Sequence, residues 1–249
     1  MTSFLYRMPS GIAGDVTRQS ISTIEAQVLD SSNAFGAFGL FGKIASSKFI
    51  PVGSGDLATA IYGLLVRPYP SQGANASDPL GTSVPKTSGL ADVLRRGYAA
   101  VKCNNGTPAL NGKVYVRVGN ASGVKVVGGI EATPELTVAG GVITGTGTGT
   151  IAGTVSVDAI PGTWSLVLQT TSGTSKVTVI DPNGLRHPDA TVGTAYTSGG
   201  LTFTITAGGT MTAADSFAPV VTANTIEVAR CRFMSAADAS GNAEIAYNI

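Results

Sequence analysis

The sequence predicts an all-β fold, and three observations lead there. Short segments rich in Val, Ile, Thr and aromatics recur along the chain, each bounded by Gly, Pro, Asn or Ser. That is the strand-and-turn pattern of antiparallel sheets. Thirty-three Gly and twelve Pro in 249 residues mark many turns and little helix. Only 12% of residues are charged against 43% hydrophobic, the balance of a packed chain and not a disordered one.

A long Gly/Thr/Val block divides the chain. From 132 to 223 the segments Thr150–Val157, Trp164–Leu168, Lys176–Ile180, Leu201–Thr206 and Phe217–Val221 follow one another with turns between them. Asp181-Pro-Asn-Gly184 fits a tight turn, because Pro presets φ and Gly tolerates φ > 0. Five or more strands over such a length suit an inserted β-sandwich of the immunoglobulin type. The host is then 1–131 plus 224–249, expected as a small β-barrel or jelly-roll-like domain. Charge follows the same division. Two of the sixteen Lys/Arg and five of the fifteen Asp/Glu fall in the insert, leaving it mildly acidic and the host mildly basic.

The host elements follow in order. Residues 1–20, with Pro9, Gly11 and Gly14, keep no period and read as an extended arm, one that orders against a partner. Ser22–Leu29 alternates as a strand. Phe35-Gly-Ala-Phe-Gly-Leu-Phe-Gly42 is apolar and Gly-spaced, without the Lys and Ser/Thr of a phosphate loop. Lys48–Val52 and Ala60–Val66 are strands, the second apolar enough to be central, and Arg67-Pro-Tyr-Pro70 stops it. Residues 71–88 form a polar loop. Near 89–96 the spacing of Leu90, Val93 and Leu94, with Ser88 as cap, predicts the one short helix. Tyr98–Cys103, Lys113–Val118, Thr225–Phe233 and the tail from Ala243 are strands. A tail strand that completes the host sheet is the reason to read the middle block as an insertion.

No residue pattern here points to catalysis. His187 is the sole histidine, sits in a turn, and has no Gly-x-Ser-x-Gly elbow to serve. Carboxylates are scattered singly, and Cys103 and Cys231 are too few for a zinc site or a disulfide framework. We therefore expect no enzyme, cofactor or metal. No dense basic stripe calls for nucleic acid, and no apolar run is long enough to span a membrane. The start of the chain lacks a signal peptide's pattern, so synthesis in the cytoplasm is expected. Trp164, at one parity with Leu166 and Leu168, reads as sandwich core; the alternative is a sugar-stacking platform that would make host surface glycans a partner of the insert.

Three host motifs carry a resemblance. Pro9-x-Gly11-x-Ala13-Gly14-Asp15-Val16-Thr17-Arg18, Ile61-Tyr-Gly-Leu-Leu-Val-Arg-Pro-Tyr-Pro70 and the ending Phe233–Ile249 resemble the structural cement, or head decoration, proteins of tailed bacteriophages. The insert, through Asp181–Gly184 and Thr191–Thr206, is similar to a β module that recurs within such proteins. The resemblance implies a virion protein, often a homotrimer, on the capsid exterior, with the major capsid protein as partner. Arg7, Pro9, Asp15 and Arg18 of the arm then become capsid-contact candidates. The Phe35, Phe38 and Phe41 run joins them as a capsid or subunit contact, because aromatics concentrate at interfaces.

Overall fold

The structure, a computed structural model, describes residues 11–68, 83–141, 143–169, 175–209 and 211–249. It is all-β: twenty strands and two short 3-10 turns, Gln19–Ile21 and Ala58–Ala60, occur among the described residues. The chain divides into two compact units, Met1–Pro134 with Thr225–Ile249, and Glu135–Asn224. The first unit opens with β1 (Thr23–Leu29), β2 (Phe41–Ala45), β3 (Lys48–Pro51), β4 (Gly63–Leu65), β5 (Gly89–Asn105), β6 (Lys113–Arg117) and β7 (Ile130–Glu131). The second holds β8 (Leu136–Ala139), β9 (Ile143–Thr144), β10 (Gly149–Val155), β11 (Gly162–Thr163), β12 (Ser165–Leu168), β13 (Lys176–Ile180), β14 (Arg186–Thr191), β15 (Tyr196–Ser198), β16 (Leu201–Ala207), β17 (Ser216–Phe217) and β18 (Val220–Ala223). The chain then returns to the first unit as β19 (Thr225–Phe233) and β20 (Asn242–Tyr247).

The first unit is organised on β5, whose two halves close two rings of strands. Its first half pairs with β1 from Thr23↔Arg96 to Leu29↔Gly89 and with β4 through Leu64↔Leu94; β3 and β2 link β1 to β4 and close the ring. Its second half pairs with β20 from Tyr247↔Gly97 to Asn242↔Lys102, and in parallel with β7 at Cys103↔Ile130; β19 and β6 close the second ring. Gly97 stands at the changeover with φ +142, and a Cβ there would strike Ser22. Both facts require glycine.

The helix expected near 89–96 is therefore a strand. Val93 and Leu94 share a helical face in sequence, but in β5 they point to opposite sides and both are fully buried. Val93 enters one core with Phe49 and Leu65; Leu94 enters the other with Phe41 and Leu64. A strand between two cores loses the alternation that marks ordinary strands, and its apolar run then imitates a helix. The expected strand at Ala60–Val66 is also shorter. Its ladder covers only Gly63–Leu65, after the 3-10 turn at Ala58–Ala60.

A buried ion pair fastens the second ring. Arg117 and Glu131 are both fully enclosed, with Arg117 Nη2 donating to Glu131 Oε2 at 3.0 Å and Nε to Oε1. Arg117 Nη1 donates to the carbonyls of Gly119 and Asn120, and Asn105 Nδ2 donates to Glu131 Oε2 at 3.1 Å. With every charged atom engaged, the pair holds β7 between β6 and β5.

In the second unit, a five-stranded sheet ordered β14-β13-β12-β17-β9 and two three-stranded sheets, β10-β16-β15 and β11-β18-β8, surround one core. Trp164, Leu166, Val177, Val179 and Phe217 are buried by no more than strand alternation. The expected single strand Phe217–Val221 divides in two. Phe217 pairs with Leu166 in the larger sheet, whereas Val220 and Val221 pair with β11. Pro219 lies at the break, where its missing N–H cannot continue a ladder.

Candidate contact surface

The first unit carries a cleft of about 560 Å³. Six described stretches line it: Gly11–Ala13, Gly36–Phe38, Arg67, Ser83–Val84, Lys102, and the turn from Asp238 to Asn242. Two glycines bring the first walls together. Gly14 (φ +92) lies against Phe38 and the Gly39 nitrogen, and Gly39 (φ +78) lies against the Gly14 nitrogen. Neither position has room for a Cβ, so the two backbones touch.

Arg67 crosses beneath these walls. Its main-chain N–H donates to Gly14 and its Nε to the Ala13 carbonyl, each at 2.9 Å. Its guanidinium lies 4.9 Å from the centre of the Phe38 ring, and the Asp15 carboxylate is 3.7 Å from Nε. Burial pulls the Arg67 pKa down and Asp15 opposes that; an arginine stays charged regardless. On the other side, Asp238 Oδ1 accepts the N–H groups of Ser240 and Asn242 at 2.9 Å each, and Cys103 N–H donates to Gly241. This fixes the turn beside Lys102. Lys102 itself is exposed and forms no ion pair among the described residues.

The candidate contact residues fall in different places. Arg7 and Pro9 lie outside the described residues. The expectation of an arm ordered only by a partner is corrected for residues 11–18. Gly14 N–H donates to Ala100, Thr17 N–H to Tyr98, and Ala100 N–H to Asp15, so this segment adds to the unit's own sheet. Its missing period is explained by length: one bridge, Val16↔Ala99, is too short to show alternation. Asp15 is partly exposed above Arg67. Arg18 is 47% exposed, stacks 3.9 Å from the centre of the Tyr98 ring and meets Glu244 at 3.2 Å.

The phenylalanine run is corrected as a contact. Phe35 and Phe38 are buried in the core of the first ring, and Phe41 in that of the second. Phe35 stacks on Phe49 at 4.9 Å. Gly spacing here serves backbone packing inside the unit, and of the three rings Phe38 alone also borders the cleft.

Trp164 is fully buried, as its parity indicates, so it offers no platform to a sugar. Its Nε1–H donates to the Ile160 carbonyl at 3.1 Å. Sequence reasoning missed what lies against it. His187 packs 5.2 Å from Trp164, ring centre to ring centre, with Nε2 3.3 Å from Asp181 Oδ2 and Nδ1 3.4 Å from Ser198 Oγ. The order Asp–His–Ser resembles a nucleophile's relay, but the ring lies between Trp164 and Gly199, where even a Cβ on Gly199 would collide with it. The chain of contacts pins the Asp181–Gly184 turn to the β15–β16 turn. Among the described residues no three His, Cys, Asp or Glu side chains gather to hold a metal ion, and no helix is long and apolar enough to cross a membrane.

The family model for the XM1 gp53 minor capsid protein matches residues 1–159. The chain belongs to this phage minor capsid family. The match covers the leading segment of the first unit, including five of the six stretches that line the cleft, and runs into the second unit. No curated protein and no solved structure matches the chain. Membership makes this a virion structural protein associated with the capsid, and a β-rich one.

Proposed function

We propose that the protein binds the outer surface of the assembled capsid, bridges neighbouring major capsid subunits through its first unit, and so stabilises the shell. The observation that carries this is the minor capsid family match, which spans β1 to β7 of that unit. The fold is consistent with it: two strand rings share one long strand, and Arg18 and the cleft lie on segments that this strand holds. Binding the assembled shell in preference to free subunits stabilises it by mass action. An interface of roughly 1,600 Å² per copy would suffice, and many copies multiply the effect. Three copies meeting at a three-fold position, and a second unit carried as an inserted module of immunoglobulin type, complete the proposal. The burial of Trp164 gives a glycan-binding second unit no support.

Cryo-EM of particles with and without the protein tests the reading, together with the temperature at which each releases DNA. Density on the outer shell across subunit seams and a higher release temperature are expected. Density confined to the inner face, or to the tail, would sink it.

A further inference from the structure

The three motifs that first suggested a phage structural protein are far apart in sequence, yet each supplies a wall of the cleft. The first contributes Gly11 and Ala13, the second Arg67, and the third Asp238 and Asn242. Such convergence asks what the cleft receives.

Its chemistry answers in two parts. Of the two cations on its walls, Arg67 is engaged by Ala13 and Asp15, whereas Lys102 is exposed with no carboxylate partner among the described residues. The one carboxylate in the lining, Asp238, has an oxygen held by two backbone N–H groups of its own turn. Lys102 is therefore the one lining charge without a charged or hydrogen-bonded partner among the described residues, and an anion entering the cleft would pair with it. The rest of the lining is small or apolar, with Val84 74% exposed at the rim. The main chain of Gly36 and Ala37 on its wall makes no hydrogen bond among the described residues. Free main-chain groups beside small side chains suit an extended peptide, which is bound through its backbone.

We propose that the cleft receives an extended, carboxylate-bearing peptide segment of the capsid partner, with Lys102 pairing to the carboxylate. The proposal rests on the capsid-surface reading above. Two exposed positions test it without touching a core: Lys102→Glu reverses the charge, and Ala37→Trp fills the cleft. Occupancy on particles lacking the protein is measured for the full chain and both variants, alongside melting temperature. Short overlapping peptides tiling the major capsid protein serve as the second probe. Each variant is expected to lose binding about tenfold or more at an unchanged melting temperature, and the captured peptides to contain Asp or Glu. Should either variant melt early, Lys102→Gln takes its place, with a smaller loss expected. Variants that occupy particles as the parent does would overturn the cleft assignment and leave the capsid-surface reading intact. A parent chain that does not bind particles removes both. Captured peptides without acidic residues overturn the carboxylate assignment. If deleting residues 1–10 abolishes the effect of Lys102→Glu, the cleft belongs to the chain's own leading segment and the partner assignment fails.

Discussion

The two units bury charge by opposite means. The first encloses a cation and an anion together, Arg117 with Glu131. The second encloses carboxylates that are held by main-chain N–H groups. Asp215 accepts from Thr212 at 2.6 Å, Thr146 at 2.9 Å and Gly147 at 3.3 Å; Asp181 accepts from Asn183 and Leu185 at 2.9 Å and meets His187. An enclosed pair is neutral as a whole, so its strength lies in partnership. A carboxylate in a cage of N–H groups holds its loops only while it is ionised. The difference teaches where each unit will fail. The first should break when one partner is removed, the second when protons are added.

The largest effect should follow from breaking the pair. Arg117→Met leaves Glu131 enclosed without its cation, a loss expected at about 3–5 kcal/mol. The double variant Arg117→Met/Glu131→Leu should recover much of it, since a buried pair replaced by apolar groups costs little. Chemical denaturation of the full chain measures both. Trp164, the sole tryptophan and in the second unit, should keep its own transition. If the double variant is no better than the single one, the loss comes from packing and the hydrogen bonds to Gly119 and Asn120, not from an orphaned charge.

Phe38→Ala ranks next. A buried ring in the first ring's core should cost about 3 kcal/mol or more, so that a fall in capsid occupancy follows the loss of folded chain. Selective loss of occupancy at an unchanged melting temperature would restore the ring as a contact. This residue also shows how far the sequence was legible. Segments that alternate on one core, such as Lys176–Ile180 and Leu201–Ala207, were readable because one face met water and the other did not. Val93 and Leu94 of β5 enter different cores, as do Phe35 and Phe41, so both faces are apolar there and the period disappears. The cleft was legible only as three unexplained motifs, because their convergence depends on long-range pairing with β5. The contacts of His187 left no local signal, since Asp181, Ser198 and Trp164 reach it from other turns and strands.

Acid should separate the units. In Asp215, the Thr212 N–H leads the groups that hold the carboxyl below its ordinary value. In Asp181, burial pushes the pKa up, but Leu185 N–H, His187 and Asn183 N–H prevail and lower it. Both folded values thus lie below the unfolded value of about 3.9. Their contribution to stability is fully present above that value and is lost as pH falls through the folded ones. Trp164 fluorescence should therefore report unfolding of the second unit at lower denaturant as pH drops below about 4. Asp215→Asn should be less stable at neutral pH and should flatten that dependence. An unchanged slope in the variant would show that other carboxylates govern acid sensitivity.

The smallest stability effect should come from Arg18, and that makes it useful. Its contacts with Glu244 and Tyr98 are half open to water, so Arg18→Ala should cost no more than about 1 kcal/mol. The segment it terminates is held instead by main-chain bonds to Tyr98 and Ala100, which the substitution leaves in place. Monomer melting should then shift little. If the outer-surface reading is right, a guanidinium displayed on this edge can also reach a capsid carboxylate, and occupancy should fall with a steeper loss at low salt than at high salt. A melting shift as large as that of Phe38→Ala would instead show that Arg18 holds residues 11–18 to β5, and would move it from the contact surface to the fold.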